Sequence, residues 1–170
     1  MDDCICLEPA DVREVAVTNA ADDASSRIVR DSSCGEKSDE EIYFVYSASL
    51  RIFGDIPDLD EITKSLGVIP SSSHRKGDRQ GPNSKPYKHD MWCYTAPVKG
   101  NEALTVHIDA LWNTFRARKQ YLLQLKRGLT VDVFLGYRSN CDHAGVEVPH
   151  QSLQMFSELQ VPFGLSIIVV

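Results

Sequence analysis

Apolar and polar positions change their rhythm sharply near residue 42. Residues 1–41 are rich in Asp, Ser and Ala, with apolar clusters only at residues 4–7 and 12–17. A segment so poor in apolar side chains gains too little from burial to offset the entropy lost on ordering. The expectation is therefore a flexible or loosely docked acidic arm over 1–41, followed by a single domain over 42–170. Residues 42–53 are dense in aromatic and β-branched side chains, and Ala48, Leu50 and Ile52 alternate with Ser49 and Arg51. That period of two predicts a half-buried strand. After Gly54, the positions Leu59, Ile62 and Leu66 recur three and four apart. They predict a short helix with Asp58 near its N-cap and Gly67 just past its end.

Residues 69–90 contain three prolines, two glycines and a serine triplet at 71–73. They read as a long loop, and a connection of that length in a compact domain is either functional or packed as an ordered flap. A second strand is expected over 91–96, with Trp92 and Tyr94 on one face. Leu104, Ile108, Leu111, Phe115, Leu122 and Leu125 then carry a long helical rhythm, with Asn101 as a reasonable cap and Gly128 as the stop. The apolar seam weakens across residues 116–120, where a break between two helices fits. Strand three is expected over 129–137, a helix over 149–159 and a closing strand over 161–170. This order predicts an α+β fold, a four-stranded, mostly antiparallel sheet with helices on one face, broadly ferredoxin-like. Residues 56–68 and 148–161 each run from a β-branched residue and a proline through a short helix to a valine, which hints at duplicated β-α-β units.

Charge changes this picture in one place. Residues 1–41 hold twelve acids against four bases, so the arm carries −8 while the remaining 129 residues carry +2. The acidity of the chain belongs to the arm, and a near-neutral domain gives no general argument for nucleic-acid or membrane binding. With 42% hydrophobic and 25% charged residues, the 170-residue chain has the composition of a soluble globular protein rather than a disordered polyelectrolyte. No basic stretch precedes an apolar run at the front, and the one long apolar run, residues 161–170, is far short of the roughly 20 needed to span a bilayer. A cytoplasmic location is expected. Five cysteines, odd in number and without a CxxC pair, indicate reduced thiols rather than a disulfide framework.

The basic stretch within residues 71–90 is the charge anomaly of the domain, at +3 from Arg75, Lys76, Arg79, Lys85 and Lys88 against Asp78 and Asp90. His74, Arg75, Lys76, Gly77, Asp78, Arg79 and Trp92 are the candidate ligand or anion site. Arg75 and Lys76 would meet a phosphate or carboxylate, Gly77 would let the backbone approach, and Trp92 would offer an aromatic face. The plainer alternatives are a solvated loop in which Arg75 and Asp78 pair across a turn, and a core Trp92. His74, Asp78 or His89 could act as acid or base in an enzyme, but no nucleophile signature supports catalysis, and no catalytic residue is assigned. Cys141, Asp142 and His143, with His107 and His150 elsewhere, fall short of a metal-ligand set, so neither a metal nor another cofactor is expected.

The segments around residues 48–52 and 59–66, the run His74-Arg75-Lys76-Gly77-Asp78 ahead of Met91-Trp92, the helix bearing His107 and the closing stretch 153–167 together resemble an uncharacterised bacterial family, domain of unknown function 4279. The resemblance covers about residues 46–168 and implies a compact α+β bacterial protein without an assigned activity. The function expected is a non-catalytic interaction protein, of the immunity or antitoxin sort, with a protein partner. The alternative is a module for a small anionic ligand, in which the acidic arm shields the basic loop. An enzyme comes third.

Overall fold

The computed structural model describes residues 43–141 and 145–170. The arm expected over 1–41 lies outside the described residues, as do Asp142 and His143. The aromatic and β-branched segment that opens the domain becomes the central strand, β1 (Phe44–Gly54). β2 (Ser72–His74) and β3 (Asp90–Thr95) lie to one side of it, β3 antiparallel to β1 and β2 antiparallel to β3. On the other side β4 (Thr130–Ser139) is antiparallel to β1, and β5 (Leu165–Val169) is parallel to β4. The order is β2-β3-β1-β4-β5.

Among the described residues the sheet thus has five strands rather than four. The additional strand, β2, sits in what reads as loop, because Ser72-Ser73-His74 has no apolar alternation and becomes a strand only by pairing with Cys93, Trp92 and Met91. The two candidate β-α-β units also return differently, the first to an antiparallel neighbour and the second to a parallel one.

Helix α1 (Leu59–Leu66) starts and stops where the chain signals it. The Asp58 carboxylate accepts the amides of Asp60 and Glu61 at 2.8 and 3.3 Å, and Gly67, at φ +73°, returns its amide to the Thr63 carbonyl. The long helical rhythm is split into α2 (Leu104–Phe115) and α3 (Lys119–Leu125) by a 3-10 turn over Arg116–Arg118. Asn101 does not cap α2; Ala103 holds that position without a side-chain bond. Helix α4 (Gln154–Leu159) is shorter than its apolar pattern. Its last carbonyls, those of Leu159 and the following Gln160, accept from the Lys126 ammonium at 2.9 and 2.6 Å, and Lys119 pairs with Glu158.

All four helices pack on one face of the sheet. Leu50 and Ile52 lie in register with Tyr94 and Trp92 on one side and with Val133 and Val131 on the other, so one face is continuously apolar. Ile62, Leu66, Ile108, Leu111, Leu122, Met155 and Leu159 close it from the helix side, and Phe115 meets both Trp92 and Tyr94 edge-on. The opposite face carries Ser47, Ser49, Arg51 and Phe53 beside Thr95, Asp132 and Phe134. There Arg51 donates to both oxygens of Asp132, at 2.8 and 2.6 Å, and its guanidinium carbon lies 4.5 Å from the centroid of the Phe134 ring. Cys93 is buried within β3. Cys141 is disulfide-bonded, so the expectation of reduced thiols does not hold at that position. Among the described residues no helix is long and apolar enough to cross a membrane.

Candidate functional site

The basic stretch after β2 is an ordered flap built from its own backbone. Arg75 and Asp78 close a turn reciprocally: the Arg75 amide donates to the Asp78 carboxylate at 2.8 Å, and the Asp78 amide to the Arg75 carbonyl at 3.1 Å. Gly77 sits inside this turn at φ +90°, a backbone conformation in which a side chain would be strained. The outgoing and returning limbs are then joined by Gly77 N–H to Tyr87 C=O at 2.9 Å and Tyr87 N–H to Asp78 C=O at 2.8 Å. The Tyr87 ring stacks on His74 with centroids 3.6 Å apart, and Arg79 donates to the Ser84 carbonyl at 3.0 Å.

Asp90, the first residue of β3, fastens the flap to the domain. One carboxylate oxygen accepts the Lys76 amide at 2.8 Å; the other accepts the Ile56 amide at 2.8 Å and lies 3.5 Å from the Arg75 guanidinium. Arg75 also donates to the Ile56 carbonyl. Three separate segments meet on this one carboxylate, whose side chain is 13% exposed. The amide of Lys76, the amide of Ile56 and the charge of Arg75 together hold the Asp90 carboxyl below the usual carboxylate range. Burial pushes the His74 imidazole below the usual histidine value, opposed by the charges of Asp78 and Asp90.

The seven candidate residues are divided among three places. Trp92 is buried in the core beneath the sheet, its indole N–H donating to the Thr63 hydroxyl at 3.0 Å. His74, Arg75, Gly77 and Asp78 form the frame of the flap. Lys76 and Arg79 lie on its outside, Lys76 reaching the exposed Asp55 at 3.4 Å. The turn pairing of Arg75 and Asp78 is thus present, through the Arg75 amide rather than its guanidinium.

The acid-base candidates each already serve the flap or face solvent. The Asp78 carboxylate holds a backbone amide, His74 is stacked, and His89 is exposed. Among the described residues no group of three or more His, Cys, Asp or Glu side chains is placed to hold a metal ion. His107 is buried on α2, where neither ring nitrogen makes a hydrogen bond of good geometry among the described residues and the carbonyls of Lys99 and Glu102 are its nearest polar influences. The residue that sequence reasoning undervalued is Asp90, counted only as a charge. Its signal is an acid set directly against the buried run Met91-Trp92-Cys93, where an ionised side chain needs donors from elsewhere in the fold.

A five-stranded sheet with its helices on one face and an ordered basic flap at one edge defines, among the described residues, an α+β protein with a built surface feature. The chain belongs to the family described as Domain of unknown function (DUF4279), whose model matches residues 41–170. No curated protein and no solved structure matches the chain.

Proposed function

We propose that this is a non-catalytic binding protein whose flap docks on an acidic protein surface. The observation that carries this reading is the division of labour within the flap. Asp90, Arg75 and the Asp78 turn hold its backbone, while Lys76, Arg79 and Lys85 are exposed on the outside. Cations on a frame that is already ordered lose little conformational freedom on binding and steer an acidic partner by charge. A compact site for a small anion is less well supported. The guanidinium best suited to grip one, that of Arg75, already serves the Asp90 carboxylate and the Ile56 carbonyl.

The test is capture of partners from a lysate of the source organism by the full chain and by a triple variant, Lys76→Glu, Arg79→Glu and Lys85→Glu, with folding checked by circular dichroism. Arg75 is left unchanged because replacing it would loosen the frame. The expected result is a stoichiometric acidic protein held by the wild type, lost in the variant, and released at about 1 M salt, where the Debye length is about 3 Å. Equal capture by both proteins, or no stoichiometric partner for either, overturns the proposal and transfers the question to a thermal-shift screen over nucleotides, phosphate and organic acids.

A further inference from the structure

The edge of the sheet opposite the flap carries a second surface. Among the described residues β5 is the last strand in the order, hydrogen-bonded to β4 on one side only. Beyond the strand end, the Val170 amide donates to the Ser139 carbonyl at 3.0 Å, so residues 166, 168 and 170 face β4. The alternate residues Leu165, Ile167 and Val169 therefore direct their N–H and C=O groups away from the sheet. Proteins ordinarily guard such an edge with charge, proline, a bulge or a cover. Here residues 161–170 contain no charged residue, and Pro162 precedes the strand without interrupting it. The side chains that flank the free backbone are apolar and open, with Ile167 61% and Val169 51% exposed. Phe163, ahead of β5 and in contact with Phe156 of α4, extends the patch.

We propose that the outer edge of β5 pairs antiparallel with β5 of a second copy of this chain about a two-fold axis. The two five-stranded sheets then form one continuous ten-stranded sheet. Self-pairing suits this strand in particular. Centred on Ile167, it sets Ile167 against the partner copy's Ile167, Leu165 against Val169 and Ser166 against Ile168, so no like charges meet and every facing pair includes an apolar side chain. A charged partner strand finds no countercharge on this edge, whereas the flap supplies one at the other. The pairing also stops at two copies, because β2 is only three residues long and runs directly into the charged flap. An edge about 17 Å long makes a small interface, and weak, transient interfaces are those below about 1,200 Å² of total buried surface. Micromolar self-association is the expected strength.

Sedimentation equilibrium of the full chain over a concentration series tests this directly, alongside Ile167→Lys, which sets like charges against each other at the axis. Ile167→Pro removes an amide that points outward and leaves the β4 ladder intact. The wild type is expected to move from monomer to twice the monomer mass. Both variants should stay monomeric at every concentration, and the flap variant should dimerise as the wild type does. Hydrogen exchange on the wild type, which needs no folded variant, should show the Ile167 and Val169 amides becoming protected as concentration rises. A wild type that remains monomeric at high concentration overturns the proposal, and so does a dimer that survives both substitutions. Edge amides protected only when another protein is added also overturn it, in favour of a foreign strand. None of these outcomes bears on capture by the flap.

Discussion

At one edge of the sheet β2 offers three residues and at once gives way to a folded, charged flap; at the other β5 offers five residues without a charge. Both are edge strands, and both leave backbone groups without a partner strand among the described residues. The first edge is held by polar contacts. Asp90 gathers two amides and a guanidinium, and the Arg75-Asp78 turn and the Tyr87 bonds fix the rest. The second edge is held from behind by apolar packing, Leu165 lying in register with the buried Leu135, and by the Lys126 ammonium on the carbonyls that end α4. The contrast teaches that one sheet can present two edges of opposite physics. One is governed by charge and the other by free backbone and apolar side chains.

The most disruptive way to probe this contrast is to remove what the two edges share. Leu135→Ala empties a fully buried site between β1 and β5 and should cost about 3 kcal/mol, measured by urea unfolding. If the domain is one cooperative unit, exchange protection at both edges falls together. Loss confined to the β5 side would show the edges to be separately stable.

A smaller and local effect is expected from Asp90→Ala. The amides of Ile56 and Lys76 should lose about tenfold of their exchange protection, while those of β5 remain unchanged. Acid should act on the same contact. The folded-state pKa of Asp90 is depressed, so its contribution is present above the ordinary carboxylate value and is lost as pH falls through the folded one. The flap should therefore open at strongly acidic pH in the wild type, whereas residues 161–170 contain no titratable side chain to respond.

The smallest effect sharpens the comparison by removing a common background. His107 is buried, and burial pushes its imidazole below the usual histidine value, with the carbonyls of Lys99 and Glu102 and the charge of Glu102 opposing. A base with a depressed folded pKa stays neutral in the fold while the unfolded chain takes up protons. Stability from this source is therefore full above the ordinary value of about 6.5 and declines as pH falls below it. His74 adds a term of the same sign at the flap. His107→Leu should raise stability by about 1 kcal/mol at neutral pH and flatten the decline between about pH 6.5 and 5. The slope that remains belongs in part to His74. An unchanged slope would place the acid response elsewhere.

Much of this fold was legible along the chain because its signals are local. The alternation of Ala48, Leu50 and Ile52, the Asp58 and Gly67 caps and the weak seam across residues 116–120 each depend on neighbours a few positions away. The candidate site was legible as a location and as a charge, but not as a mechanism. Whether Arg75 faces an anion or an internal carboxylate depends on where Asp90 arrives, fifteen residues later.

By itself the sequence determined the α+β class, the single helix-covered face, the break in the long helix and the uncharged closing strand, since periodicity and composition set these without long-range information. Only the tertiary structure decided that Ser72–His74 is a strand, that β5 runs parallel to β4 and lies at the edge of the described sheet, and that Asp90 fastens the flap. Each of those depends on hydrogen bonds between segments far apart in the chain, and the pattern within any one segment does not specify which partner it meets.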